Sequence, residues 1–250
     1  MTINIPKRVT DRVKKSSKKF IRILNSAYKA DINESDTVLI VRDMLEEIFG
    51  YDRYSEITTE YVIRGVFCDV AIKIDNELRY LIEVKNIGTD LKENHLRQAM
   101  EYSTKANLDW VILTNGRVWN TYKITYKRPI QIEQIFEINW LEENLKDESF
   151  IERIFCLCKE GITKTALSQY EEEKQATSRY IIGSIILGES VLKVIRREIK
   201  KLSNFNVDID NLRSIVVEDV LKREVVEGDE ASAANKRYKT MLSKESKKNE

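Results

Sequence analysis

The sequence reads as an α/β protein in which a mixed β-sheet is flanked by helices and followed by an all-α C-terminal region. Three observations carry this reading. Apolar residues recur at helical spacing before residue 50, switch to period two between about 56 and 124, and return to helical spacing from about 148. Gly (8) and Pro (2) are scarce in 250 residues, which favours long elements and excludes collagen-like or low-complexity chains. Asp75-Asn76-Glu77 and Asn115-Gly116 stand where tight turns would join strands.

Residues 8–28 form an amphipathic pattern with Val13, Phe20, Leu24 and Ala27 on one face. Asn33 or Ser35 suits the cap of a second helix that stops at Gly50, its apolar side carrying Val38, Val41, Leu45, Ile48 and Phe49. Strands are expected over 56–65, 67–74 and 79–85, a helix over 91–106, and strands over 110–114 and 118–124. The order from residue 31 is therefore α-β-β-β-α-β-β. Beyond it, one long helix is expected over 171–202 and another over 209–225. Residues 227–250 are rich in Lys, Glu and Ser and read as loose. The expected organisation is a basic N-terminal helix (1–30), an α/β domain (31–142), a helical region (143–226) that could serve as an oligomerisation arm, and a flexible charged tail (227–250).

Hydrophobic residues make up 42% and charged residues 33%, the balance of a soluble protein with a well-charged surface. There is no apolar run of bilayer length and no signal-peptide pattern at the N-terminus, so no membrane partner is expected and the cytoplasm is the default location. The cysteines are Cys68, Cys156 and Cys158, an odd set without a disulfide framework. His95 is the lone histidine, too few partners for a structural zinc site at Cys156-Leu157-Cys158, so ordinary thiols are expected. Net charge is only +1, but Lys7, Arg8, Arg12, Lys14, Lys15, Lys18 and Lys19 face Asp11 alone. A second basic run holds Lys236, Arg237, Lys239, Lys244, Lys247 and Lys248. Each run is either a phosphate-contacting patch or a solvated face and frayed tail.

The candidate chemistry lies on the third strand. Glu83 and Lys85 are at i and i+2 and so share a face, whereas Ile82 and Val84 point the other way. Charges in an otherwise apolar strand are costly unless they pair or bind a metal. The turn at 75–77 makes 67–74 and 79–85 an antiparallel pair and brings Asp69 beside Glu83. Two neighbouring carboxylates repel and favour a cation between them; oxygen ligands without nearby His or Cys indicate Mg²⁺ or Mn²⁺. The competing reading is a structural salt bridge of Asp69 or Glu83 with Lys85. Glu34 falls in the apolar arc of its helix and is the acid best aimed at the sheet, unless it simply complements the helix dipole. Gln98 and Tyr102 share one helix face, with His95 a turn earlier, either at the edge of the site or as boundary residues.

Together, Asp69 and Glu83-Val84-Lys85 preceded by a helix with an acidic start are similar to the PD-(D/E)xK nuclease core, and Gln98-xxx-Tyr102 resembles the added motif of its RecB-like branch. The segments 33–37, 45–51, 68–72, 81–85, 95–102 and 113–116 resemble the N-terminal nuclease domain of the type I restriction enzyme R subunit, over roughly residues 30–126. The resemblance implies a restriction-endonuclease-like fold and Mg²⁺-dependent hydrolysis of DNA phosphodiesters, with a place in restriction or phage defence. It implies Asp69, Glu83 and Lys85 as catalytic residues and Asp69, Glu83 and the Val84 carbonyl as metal ligands. It also implies Gln98 and Tyr102 as DNA-positioning residues, with Glu34 and His95 as accessories. Cys68 stands where the motif often has proline. No GxxxxGK[ST] phosphate loop occurs, so ATP-driven translocation is not expected, and a protein partner would have to supply a motor or specificity. The alternative function is a non-cleaving DNA- or protein-binding module, a regulator within a restriction-type complex.

Overall fold

The computed structural model describes residues 3–63, 65–126 and 128–246. It divides into two compact units, one ending at Tyr170 and the other beginning at Glu171.

The first unit opens with α1 (Lys7–Ala30), which buries Val9, Val13, Ser17, Phe20, Leu24 and Ala27 at steps of three or four residues. That spacing keeps one stripe on the core. α1 ends where Asp31 turns left-handed, with φ 48°. α2 (Glu34–Glu47) begins at Asn33, whose side chain accepts the Asp36 N–H and supplies the missing partner of the first turn. Gly50, with φ 81°, turns the chain out of this helix segment towards the sheet.

The sheet has six strands in sequence order: β1 (Ile57–Ile63), β2 (Val66–Ile74), β3 (Glu77–Val84), β4 (Trp110–Thr114), β5 (Val118–Thr125) and β6 (Gln131–Asn139). Only β3 and β4 pair in parallel, joined through α3 (Glu93–Ala106); the other pairs are antiparallel. Val70, Ile72, Tyr80, Ile82 and Val84 point into the main core, shared with α1, α2 and α4 (Glu148–Leu157). Ala71, Leu81, Val111 and Leu113 alternate with them and meet Ala99 and Tyr102 of α3 on the other face. The expected fold class is therefore present: a mixed sheet with helices on both faces and a helical C-terminal region.

Five parts of the fold differ from the sequence reading. β6 was not expected, because a register shift opposite Thr121/Tyr122 leaves consecutive Ile135 and Phe136 both buried and breaks the period of two. Residues 143–170 belong with the sheet: Phe150, Ile154, Phe155 and Leu157 of α4 are fully buried in its core, and α1 packs there too. α5 (Lys159–Thr163) follows α4 directly. The first compact unit thus includes α1 and α4 with the sheet and ends at Tyr170.

The long helix expected over 171–202 is three: α6 (Ala166–Ala176), α7 (Arg179–Ile186) and α8 (Glu189–Ser203). Ser178 caps α7 by accepting the Ile181 N–H, and Gly188 caps α8. The span expected over 209–225 is α9 (Ile209–Ile215), one π-helical turn at Val216–Val220, and α10 (Arg223–Val226). The expected loose tail contains α11 (Asp229–Ser246), held because Ala231 and Ala234 are buried. Lys247 and Lys248 lie outside the described residues. Among those described, no helix is long and apolar enough to cross a membrane.

Candidate active site at the ends of the second and third strands

The β2–β3 pairing sets Val70 opposite Ile82 and Ala71 opposite Leu81, so one further step sets Asp69 opposite Glu83. At that step the ladder gives way to side-chain chemistry: the Val84 N–H donates to Asp69 Oδ2 at 2.7 Å. The other side of the strand end is fixed by β4, whose Thr114 carbonyl accepts the Lys85 N–H at 2.7 Å. Between these ties Lys85 Nζ donates to Glu83 Oε1 at 2.7 Å. The Glu83 side chain is only 2% exposed, and its Oε2 is buried with no hydrogen-bond partner.

Burial pushes the Glu83 carboxyl up to about 7, and the neighbouring Asp69 charge adds to this; Lys85 opposes it. Asp69 is also raised by burial, against the lowering pull of the Val84 N–H and of Lys85. Burial lowers Lys85, but Glu83, Glu34 and Asp69 outweigh it, so the ammonium is held above its ordinary range.

α3 completes the cluster. Gln98 Oε1 accepts from Lys85 Nζ at 3.5 Å, and Gln98 Nε2 donates to the Tyr102 hydroxyl at 2.7 Å. The i, i+4 spacing thus links a half-exposed amide to a buried phenol. Glu34 Oε2, at the start of α2, lies 3.9 Å from Lys85 Nζ and is half exposed. His95 stands one turn before Gln98, where its Nδ1 accepts the Lys92 N–H at 3.3 Å at the start of α3. Burial and the nearby Lys85 charge hold its imidazole below its usual pKa. The structure therefore gathers Asp69, Glu83, Lys85, Gln98 and Tyr102, brings Glu34 to the rim, and leaves His95 as a helix cap. Val84 contributes backbone; its side chain is in the core.

This geometry spans the segment that sequence comparison picks out. Residues 42–138 match the family of the type I restriction enzyme R protein N terminus (HSDR_N). No curated protein and no solved structure gives a significant match. The R-protein N-terminal match takes in every clustered residue except Glu34.

Two residues inside that match serve the site without having been singled out for it. Asn115 is buried; its Oδ1 accepts the N–H groups of Arg117 and Val118, and its Nδ2 donates to the Thr89 carbonyl at 2.8 Å. Arg117 Nε donates to the Ile87 carbonyl at 2.8 Å. Both bonds tether the loop that runs from Lys85 to α3. In the sequence Asn115-Gly116 signals a turn within a segment of family resemblance; nothing local shows that its amide reaches a loop 26 residues earlier.

The cluster suits a hard divalent cation. At the strand ends Asp69 and Glu83 offer carboxylate oxygens, and Glu83 Oε2 is a buried oxygen still lacking a partner. Among the described residues no group of three or more His, Cys, Asp or Glu side chains converges. Two carboxylates with several retained waters are the usual Mg²⁺ arrangement, whereas softer metals need the nitrogen and sulfur ligands missing here. The three cysteines are free and buried, as expected of core thiols.

Proposed function

We propose that this chain is a metal-dependent DNA endonuclease that hydrolyses phosphodiester bonds, acting in restriction of foreign DNA. The observation that carries the reading is the partnerless Glu83 Oε2 beside Asp69 and Lys85. Asp69, Glu83 and the Val84 carbonyl would hold Mg²⁺ or Mn²⁺. The chemistry supplied by such an ion, when bound, is acidification of water and offset of phosphate charge.

The chain's own groups divide the remaining work. Lys85, kept protonated by the surrounding acids, orients the attacking water or neutralises charge growing on the phosphate. Gln98 limits the swing of the Lys85 amine and presents its amide to the DNA backbone, with Tyr102 fixing the amide's direction. Glu34 at the rim would hold a water of the ion's outer shell.

The test is plasmid cleavage with Mg²⁺ or Mn²⁺ by the full chain beside Lys85→Ala. Cutting by the first alone supports the enzyme; equal cutting by both would assign it to a contaminant. A second reading draws on the Lys85–Glu83 pair, which satisfies half of the carboxylate without an ion. It makes the domain a non-cleaving DNA- or protein-binding module, and equal DNA binding without cutting by either protein selects it.

A further inference from the structure

Helix α1 carries more positive charge than its packing requires. Its core stripe is Val9 to Ala27. At 3.6 residues per turn, Lys7, Lys14, Lys18, Arg22 and Lys29 fall within about 80° of one another on the opposite side. All five are exposed, and none forms an ion pair among the described residues. From Lys7 to Lys29 the line runs about 33 Å.

The structure also sorts the basic run that the sequence could not. Arg12 is withdrawn, clamped on Glu160 at 2.7 and 2.8 Å while donating to the Ile48 carbonyl. Lys19 is occupied by Glu47 at 2.6 Å. The acids facing the ridge are few: Asp11 lies on it, and Glu142 and Glu143 line the groove beside Lys14 and Lys18 together with Lys146. Glu143 is itself engaged by Arg153. The far end of α1 is tied to the loop that follows Lys85. The Arg117 guanidinium lies 3.9 Å from the Tyr28 ring centre in the last turns of α1, and the same residue holds the Ile87 carbonyl in the loop after Lys85.

We propose that this ridge is a rail for the phosphate backbone of duplex DNA, leading away from the candidate site. The choice of DNA rests on the nuclease reading. Cations in a line neutralise phosphates in series and read no bases. A membrane surface is the poorer fit, because the apolar side that would have to enter lipid is sealed in the core, with Val9, Val13 and Leu24 fully buried.

The test is fluorescence anisotropy of a labelled duplex with the full chain in EDTA, so that binding is read apart from cutting. The wild type is compared with Lys14→Glu/Lys18→Glu/Arg22→Glu and with the milder Lys14→Gln/Lys18→Gln/Arg22→Gln. The expected result is a loss on the order of 10²-fold for the reversed set, an intermediate loss for the glutamines, and a salt slope shallower by about 3. Equal affinity and slope in all three proteins would overturn the rail. So would a wild type that ignores the duplex, or that instead binds vesicles of mixed phosphatidylcholine and phosphatidylserine. Cleavage is scored separately: a ridge-dependent binder that never cuts leaves the rail standing and removes the nuclease reading.

Discussion

The carboxylate of Asp69 accepts the backbone N–H of Val84 at 2.7 Å, where the β2–β3 ladder would otherwise continue. One residue thus ends a strand pairing and sets its charge beside Glu83. The two roles are separable by substitution. Asp69→Asn keeps an oxygen for Val84 but loses the charge; it is expected to fold normally and to cut DNA about 10²- to 10³-fold more slowly. Asp69→Ala also strands the N–H and is expected to lose about 1–3 kcal/mol in urea unfolding. An Asn variant as active as the wild type would remove Asp69 from the chemistry.

Glu83 gives a pH signature. Its carboxyl is raised from about 4.5 to about 7 by burial and by Asp69. The folded state therefore keeps a proton through a range in which the unfolded chain has released it. The resulting stabilisation is complete below about 4.5 and is lost as pH rises through about 7. In EDTA, wild-type stability relative to Glu83→Gln should fall across that window and level off above it. Added Mg²⁺ should raise the melting temperature of the wild type and not of the variant. A difference that stays flat from pH 4.5 to 7 would argue that Glu83 is not held as described.

How far the sequence revealed this site depended on the range of the interactions. Asp69, Glu83 and Lys85 were legible because strand parity fixes which side chains share a face, and the turn at 75–77 fixes which strands pair. Gln98 and Tyr102 were legible through helical spacing. The tether from Asn115 to Thr89 was not, since it depends on β4 returning parallel to β3 across the whole of α3. β6 was hidden by its bulge, the helix break at Gly188 was masked by apolar residues that recur on both sides of it, and the break at Ser178 lies in a polar run with no Gly or Pro to mark it.

That tether is itself open to test. Asn115→Asp preserves volume and the oxygen that caps Arg117 and Val118, but sets a second oxygen against the Thr89 carbonyl. The loop between Lys85 and α3 should loosen. The expected outcome is a kcat lower by about tenfold or more, a KM within about twofold, and a shifted Gln98 side-chain amide resonance. An unchanged resonance would confine Asn115 to the β4–β5 turn.

Arg12 and Gly50 form a second interdependent pair. A Cβ at Gly50 would lie 2.6 Å from the Arg12 guanidinium, and the residue sits at φ 81°. Gly50→Ala therefore meets both backbone strain and a collision with the group that binds the Ile48 and Phe49 carbonyls and Glu160. A loss of about 1–3 kcal/mol in urea unfolding is expected. Arg12→Ala should cost a similar amount by freeing Glu160 and those carbonyls. In the double variant the collision is gone, so its loss should fall short of the sum of the single losses. Strict additivity would show that the two residues do not interact.

The position of the unit boundary decides which fragment can fold. Ending the chain near residue 145 removes Phe150, Ile154, Phe155 and Leu157, all fully buried. It also removes the Leu157 carbonyl, which accepts the buried hydroxyls of Tyr51 and Tyr80. At about 1.5–3 kcal/mol per buried side chain, four such losses come to about 6–12 kcal/mol, the scale of a whole domain's stability. A fragment ending at Ala176, after α6, retains all of these groups. Circular dichroism should show a cooperative melt for residues 1–176 and none for residues 1–145. A well-folded 1–145 fragment would mean that α4 is an addition to the sheet's core and not part of it.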